Sequence, residues 1–232
     1  MICKSRALRI VGQGSFLVVL MVATTLGKRA WIDGKGSVLP AEAVRMEGTL
    51  PNDVMMQGAR KGRHDARAVL VEFTDYECPF CAQSANELLP QIERQFVDNG
   101  GIEYILVNYP IERIHPRALK AAEAAECAKP HGRYWNLHDR LFAGRPVLDD
   151  DALVRYAVDA GLNDKAFRAC LDGQFTDKIR KDRELGRSMG VVSTPTFVIG
   201  RRGDGGTVDL RWKIVGAVPY NVLERAINET LK

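Results

Sequence analysis

The chain has 232 residues, 46% apolar and 27% charged, an ordinary globular balance with length for one well-buried core and an inserted subdomain. Its formal charge of +4 is mildly basic, but Lys4, Arg6 and Arg9 precede any acidic residue, and the balance without them is +1. No nucleic-acid surface is implied, which excludes that class of partner.

The basic start and the apolar run Phe16 to Leu26 have the pattern of a secretory signal; extended back to Ile10 the run reaches about 17 residues, borderline for a membrane anchor. Residues 1–27 are therefore expected to be a signal peptide or signal anchor, with a weak cleavage site at Thr25-Leu26-Gly27 ahead of Lys28-Arg29. The bland alternative is an N-terminal core helix. From Trp31 to Arg67, Gly34, Gly36, Pro40, Gly48, Pro51, Gly58 and Gly62 recur without a sustained period. Residues 28–67 thus read as an extended tether spacing a domain, residues 68–232, from the membrane or leader.

Ala68 to Thr74 is β-branched and apolar enough for a buried central strand. Phe80, Ala85, Leu88, Leu89, Ile92 and Phe96 then recur at helical spacing, with a kink predicted at Pro90 and a stop at Asn99-Gly100-Gly101. Glu103 to Tyr109 is the next strand, so this part reads β-α-β with parallel strands. From His115 to Gly190 every recognisable period is helical: Ala118 to Ala128, Tyr134 to Phe142, Asp149 to Ala160, Asp164 to Cys170 and Phe175 to Met189. Strands return at Thr196 to Ile199 and Val208 to Val215 around the turn Gly200 to Gly206, and an amphipathic helix, Pro219 to Leu231, ends the chain. The fold class is α/β, with an all-helical insertion at about 115–190.

Between the first strand and its helix lies Cys78-Pro79-Phe80-Cys81. With Cys78 at the N-cap, Pro79 falls at the first helical position, where its missing N–H costs nothing, and Cys81 lies one turn inside. Unpaired N–H groups and the positive end of the helix dipole favour an anion there, so a Cys78 thiolate is expected at unusually low pH. Cys3 belongs to the leader, leaving Cys78, Cys81, Cys127 and Cys170, an even set suited to two disulfides outside the cytosol. Adjacency suggests Cys78 with Cys81 and Cys127 with Cys170. The second bridge closes about 44 residues, a staple worth about 4 kcal/mol in the chain-entropy treatment. A second redox relay is the sharper alternative, though neither cysteine has a CxxC partner.

The β-α-β start, the CxxC after the first strand, the helical stretch and the β-β-α finish with Val192-Ser193-Thr194-Pro195-Thr196 opening a strand together resemble the DsbA-like thiol oxidoreductases of the thioredoxin superfamily, from about Val69 to Leu231. The stretch from His115-Pro116 through Cys127, then Gly132 to Trp135 and His138 to Phe142, resembles the branch with a second cysteine pair in its insert. The resemblance implies a thioredoxin-like fold, a central mixed sheet flanked by helices, and independently favours Cys127 with Cys170. It also implies that Pro195 is cis and faces the CxxC, leaving the Thr194 backbone, with Pro79 and Phe80, to meet an extended substrate.

Glu72, six residues before Cys78, matches an acid of the family. Such a carboxylate, buried, has its pKa raised toward neutrality and could handle the Cys81 proton through a water. The structural alternative is a lysine partner or a solvated edge position. Phe80 stands where the best-known motif has histidine, which removes a cation beside the thiolate and predicts a weaker oxidant. His131 and His138, seven apart, lack a third metal ligand at convincing spacing, and no metal is expected. Cys78 and Cys81 could still hold a soft ion such as Cu(I).

These features predict an exported thiol:disulfide oxidoreductase with catalytic Cys78, Cys81, Pro195 and Glu72 and no cofactor beyond its own redox disulfide. Its expected partners are reduced or unfolded secreted proteins and, by family analogy, a membrane quinone-linked oxidase that reoxidises it. It is expected in the periplasm or another extracytoplasmic space. A disulfide isomerase or reductase, a copper-binding thiol protein and a simple binding module are the competing readings.

Overall fold

A computed structural model describes residues 21–23, 29–32, 38–40, 43–51, 58–144 and 146–232. Contacts divide the chain into two units, Met1–Ala41 and Glu42–Lys232. In the first, β1 (Met21–Ala23), β2 (Arg29–Ile32) and β3 (Val38–Pro40) form an antiparallel sheet in sequence order. The expected leader lies mostly outside the described residues, since only 21–23 of it are described. No helix among the described residues is long and apolar enough to cross a membrane.

The second unit contains β4 (Ala43–Arg45), β5 (Thr49–Pro51), β6 (Ala59–Lys61), β7 (Ala68–Thr74) and β8 (Ile102–Asn108). Helix α1, between β7 and β8, runs through α-turns at Pro79–Gln83 and Leu89–Ile92 and π-turns at Ser84–Leu88 and Glu93–Val97. Helices α2 (Ala118–Ala128), α3 (Tyr134–Phe142), α4 (Asp150–Asp159), α5 (Asp164–Leu171) and α6 (Thr176–Ser188) follow. The chain closes with β9 (Thr196–Gly203), β10 (Thr207–Val215) and α7 (Tyr220–Leu231). The sheet order is β4-β10-β9-β7-β8-β6, and β5 also pairs with β10. Among the described strands only β7 and β8 run parallel; β9 lies antiparallel to β7 on its other side.

Two expectations change, and a third gains detail. The tether is not unpaired throughout: within 28–67, β4 and β5 pair with β10 and β6 pairs with β8. These strands have three residues each, too short for a period to show between glycines and prolines, and Met46 and Leu50 pack on the core beside them. Pro90, the expected kink, lies inside the run of α1. Without an N–H of its own it is accommodated between two π-turns, where the Leu89 N–H reaches back five residues to Ser84 O. Finally, β9 extends to Gly203 and narrows the hairpin turn to 204–206, where Gly205 and Gly206 have positive φ.

All residues of β7 and β8 are buried because helices cover both faces. Side chains alternate along a strand, so Val69, Val71 and Phe73 join Leu185 of α6 and Met189 just after it on one face. Leu70 and Glu72 point to the opposite face, where α1 and α7 pack together. Gly186 permits the close approach of α6, since a Cβ there would stand 2.5 Å from the Tyr109 ring.

The insertion is organised around α2, which packs against α3, α4, α5 and α6. Ala118, Ala121, Ala122, Ala124, Ala125 and Ala128 are all buried, and their small size lets neighbours approach from several directions. Buried Glu126 accepts from Asn108 Nδ2 at 2.8 Å and Lys178 Nζ at 2.7 Å, joining α2 to β8 and α6. Cys127 and Cys170 form a disulfide between α2 and α5, with Cα atoms 6.0 Å apart. Replacing both with alanine should lower stability by about 4 kcal/mol, read as a lower urea midpoint at a given slope; an unchanged midpoint would contradict the staple.

Candidate active site

The site grows from the end of β7. There Asp75, Tyr76 and Glu77 turn the chain, with Cys78 N–H donating to Asp75 O at 3.1 Å and Glu77 N–H to Asp75 Oδ1 at 2.8 Å. Cys78 is the N-cap of α1, in extended backbone, and Pro79 opens the helix. Cys81 N–H and Ala82 N–H both return to Cys78 O at 3.1 Å. This is the arrangement expected from the sequence, and its cause is local: proline at the first position and a strand that ends in a tight turn.

Asp75 was not singled out by sequence. Its buried carboxylate also accepts from Ile111 N–H at 2.8 Å and meets His115 Nδ1 at 2.9 Å, while Glu77 Oε2 accepts from Arg117 N–H at 2.7 Å. The cysteine turn is thereby clamped to the segment leading into α2. The available signal was an aspartate two residues before an N–H that needs an acceptor, a common turn pattern that names no distant partner. Tyr76 locks the other side, stacked on Phe142 with ring centroids 4.7 Å apart and hydrogen-bonded to Tyr134 and His138.

The Thr194–Pro195 peptide is cis, and Cys78 Sγ donates to Thr194 O at 3.4 Å. Thus Thr194, joined to cis Pro195, meets the CxxC across 116 residues of sequence. Pro79 and Phe80 are both exposed, Phe80 by 59%. Cys78 is less open than a simple surface nucleophile, at 5% exposure, with Thr194 O against its sulfur; Cys81 is at 0%. Both are free thiols in this structure.

The two sulfurs differ sharply in acidity. A hydrogen bond from the Cys81 thiol is the largest influence pulling Cys78 down to about 6, helped by the N–H groups of Cys81 and Phe80 and opposed by burial. The expected low pKa is present, but its leading cause is the second thiol rather than the helix dipole alone. Burial and the neighbouring Cys78 push Cys81 well above the ordinary cysteine value.

Among the described residues Glu72 has no lysine partner, and it has no solvent. It is buried, accepts from Tyr104 OH at 2.7 Å and Ser84 Oγ at 3.3 Å, and burial raises its pKa to about 7. His131 and His138 do not share a helix: His131 lies in a short turn, whereas His138 is buried in α3 with burial depressing its pKa to about 3. Among the described residues no group of three histidine, cysteine or acidic side chains is placed to hold a metal ion.

The sequence profile of the family described as Thioredoxin matches residues 56–208. Oxidised BdbD from Bacillus subtilis superposes with a TM-score of 0.68 at 22% identity, over 81% of this chain and 98% of BdbD. Alpha-DsbA1 of Wolbachia pipientis gives 0.66 at 22% identity, over 78% and 96%. The catalytic domain of Proteus mirabilis ScsC gives 0.62 at 26% identity, over 77% and 93%. The chain belongs to the thioredoxin family, and its inserted helices give it the DsbA-like form of that fold. Curated relatives include a protein named Na(+)/H(+) antiporter NhaA 1 from Mycolicibacterium vanbaalenii, 36% identical over 149 residues, or 62% of this chain and 24% of that protein. The chain spans about a quarter of that relative's length, and the antiporter name describes the longer protein.

Two titrations follow. Alkylation of Cys78 in the reduced protein should rise with pH to a plateau with its midpoint at about 6; a midpoint in the free-cysteine range would contradict the geometry. For Glu72, the folded state holds a proton between pH 4.5 and about 7 that the unfolded chain releases, so the contribution of Glu72 to stability falls as pH rises through that window, against the opposite trend from buried His138. Glu72→Gln removes that contribution, so the stability of the variant relative to the parent should grow across the window by on the order of 3 kcal/mol, measured by urea unfolding of both proteins at each pH.

Proposed function

We propose that this chain is an extracytoplasmic thiol:disulfide oxidoreductase that donates a Cys78–Cys81 disulfide to reduced cysteines of newly translocated proteins. The observation that carries this reading is the inequality of the two sulfurs. Cys78 is the one with residual access and a stabilised thiolate; Cys81 is sealed and resists ionisation.

In the oxidised protein a substrate thiolate attacks Cys78 Sγ, a mixed disulfide forms, and the bonding pair of the old S–S bond leaves on Cys81. A second substrate thiolate then attacks the substrate sulfur of the mixed disulfide and expels Cys78. Its acidity makes Cys78 a good leaving group and favours substrate oxidation. Thr194, beside Cys78, supplies backbone to pair with an extended peptide, and cis Pro195 shapes that loop. Phe80, Ile114 and Val192 expose apolar surface on the three segments that build the site, suited to an unfolded chain rather than a charged partner. Glu72, titrating near neutrality, suits transfer of the Cys81 proton.

The cycle needs no bound cofactor, since the electrons pass through sulfur alone. Reoxidation falls to a membrane quinone-linked thiol oxidase. An extracytoplasmic setting is supported by the Cys127–Cys170 bridge and by a similar thioredoxin-like protein of Salmonella enterica serovar Typhimurium described as periplasmic, 28% identical with a TM-score of 0.58 over 75% of this chain and 90% of that one. With Phe80 in place of a cationic residue, the protein is a weaker oxidant than a histidine-bearing motif would be.

The test is oxidation of a reduced dithiol peptide by the oxidised protein. Cys78→Ser should reduce the rate to that of the peptide alone. Undiminished oxidation by that variant would remove this function.

A further inference from the structure

The step that opens the Cys78–Cys81 disulfide leaves negative charge on the less hospitable sulfur. Cys81 is fully buried, and burial, Cys78 and Glu72 all work against its ionisation. Something at the site has to receive that charge, or the opening step is slow. One donor is already aimed at it: Asp75 N–H lies 3.4 Å from Cys81 Sγ.

The second is the preceding residue. Thr74 ends β7, with 1% exposure, and its backbone is held by register pairing to Asn108 and by Tyr109 N–H donating to Thr74 O at 2.7 Å. Its hydroxyl is buried and, among the described residues, completes no hydrogen bond of ordinary geometry. A buried hydroxyl left unpaired costs free energy that a structure normally avoids, so such an atom calls for an explanation, and a redox or catalytic role is one. Among the largest influences on Cys81, the Thr74 hydroxyl is the one that favours the ionised sulfur.

We propose that Thr74 Oγ1 and Asp75 N–H together form a thiolate-binding pair for Cys81, making Thr74 a catalytic residue of disulfide opening. This rests on the oxidoreductase reading above and deepens it. When the substrate thiolate bonds to Cys78 Sγ, the Cys78–Cys81 bond breaks and its electron pair moves onto Cys81 Sγ. The Thr74 hydroxyl and the Asp75 amide donate to that sulfur without giving up their protons. The Glu72 carboxyl, or water, then supplies the proton that returns Cys81 to the thiol. The negative charge passes from the substrate sulfur to Cys81 Sγ, so the hydroxyl acts on Cys81 selectively as that charge develops.

The experiment compares Thr74→Val, which keeps the β-branched shape and removes the hydroxyl, with Thr74→Ser, which keeps the hydroxyl. Opening of the oxidised protein by a reduced peptide is followed by stopped flow, and Cys81 ionisation is titrated in protein alkylated at Cys78. Thr74→Val should slow opening by about tenfold and raise the Cys81 titration midpoint, while Thr74→Ser stays within about twofold of the parent. The midpoint of Cys78 alkylation, a property of the other sulfur, should be preserved in both. If Thr74→Val opens within about twofold of the parent, or Thr74→Ser is as slow as Thr74→Val, the thiolate pair is wrong. Cys78→Ser separates the two levels: if it is inactive while Thr74→Val is normal, only this inference falls, whereas activity in Cys78→Ser removes both.

Discussion

A hydrogen bond between two thiols one helical turn apart sets the character of this site. Cys81 has no solvent to stabilise its charge, so its proton stays in place and is shared toward Cys78. Two chemically identical side chains thereby become an acid and a thiolate. The turn of helix that separates them also supplies the N–H groups that reinforce the difference.

The rest of the fold holds that turn still. β7 delivers Cys78 from the middle of a sheet covered on both faces, and the alternation of its side chains sends Glu72 toward α1 while Phe73 packs under α6. Asp75 ties the cysteine turn to the approach to α2, and Tyr76 ties it to α3. The helical insertion is therefore a wall of the site as well as an addition to the sheet. Its own rigidity comes from the alanine-lined α2, the Glu126–Lys178 contact and the disulfide.

The two cysteine pairs illustrate how position along a helix decides reactivity. Cys78 stands at the start of α1, where free N–H groups favour a thiolate. Cys127 and Cys170 lie in the last turns of α2 and α5, where the carbonyl end of the peptide dipoles disfavours one. Under the proposed function the first pair exchanges and the second stays closed.

The amino-acid sequence by itself determined the parallel β-α-β unit, the all-helical insertion and the placement of Cys78 and Pro79 at a helix start. These follow from periodicity and from the conformational limits of proline, both local in the chain. Short strands β4 to β6 escaped because three residues carry no period and acquire their identity from pairing with β10 and β8. Family resemblance, rather than spacing, brought Pro195 and Thr194 to the site; the tertiary structure set the Thr194 carbonyl against Cys78. It alone decided that Glu72 is held by Tyr104 and Ser84, that Asp75 is a clamp and that the Thr74 hydroxyl, among the described residues, completes no hydrogen bond of ordinary geometry. Burial and hydrogen bonding depend on which segments meet in space, and no one-dimensional pattern encodes the depth at which a carboxylate, a hydroxyl or a sulfur will lie.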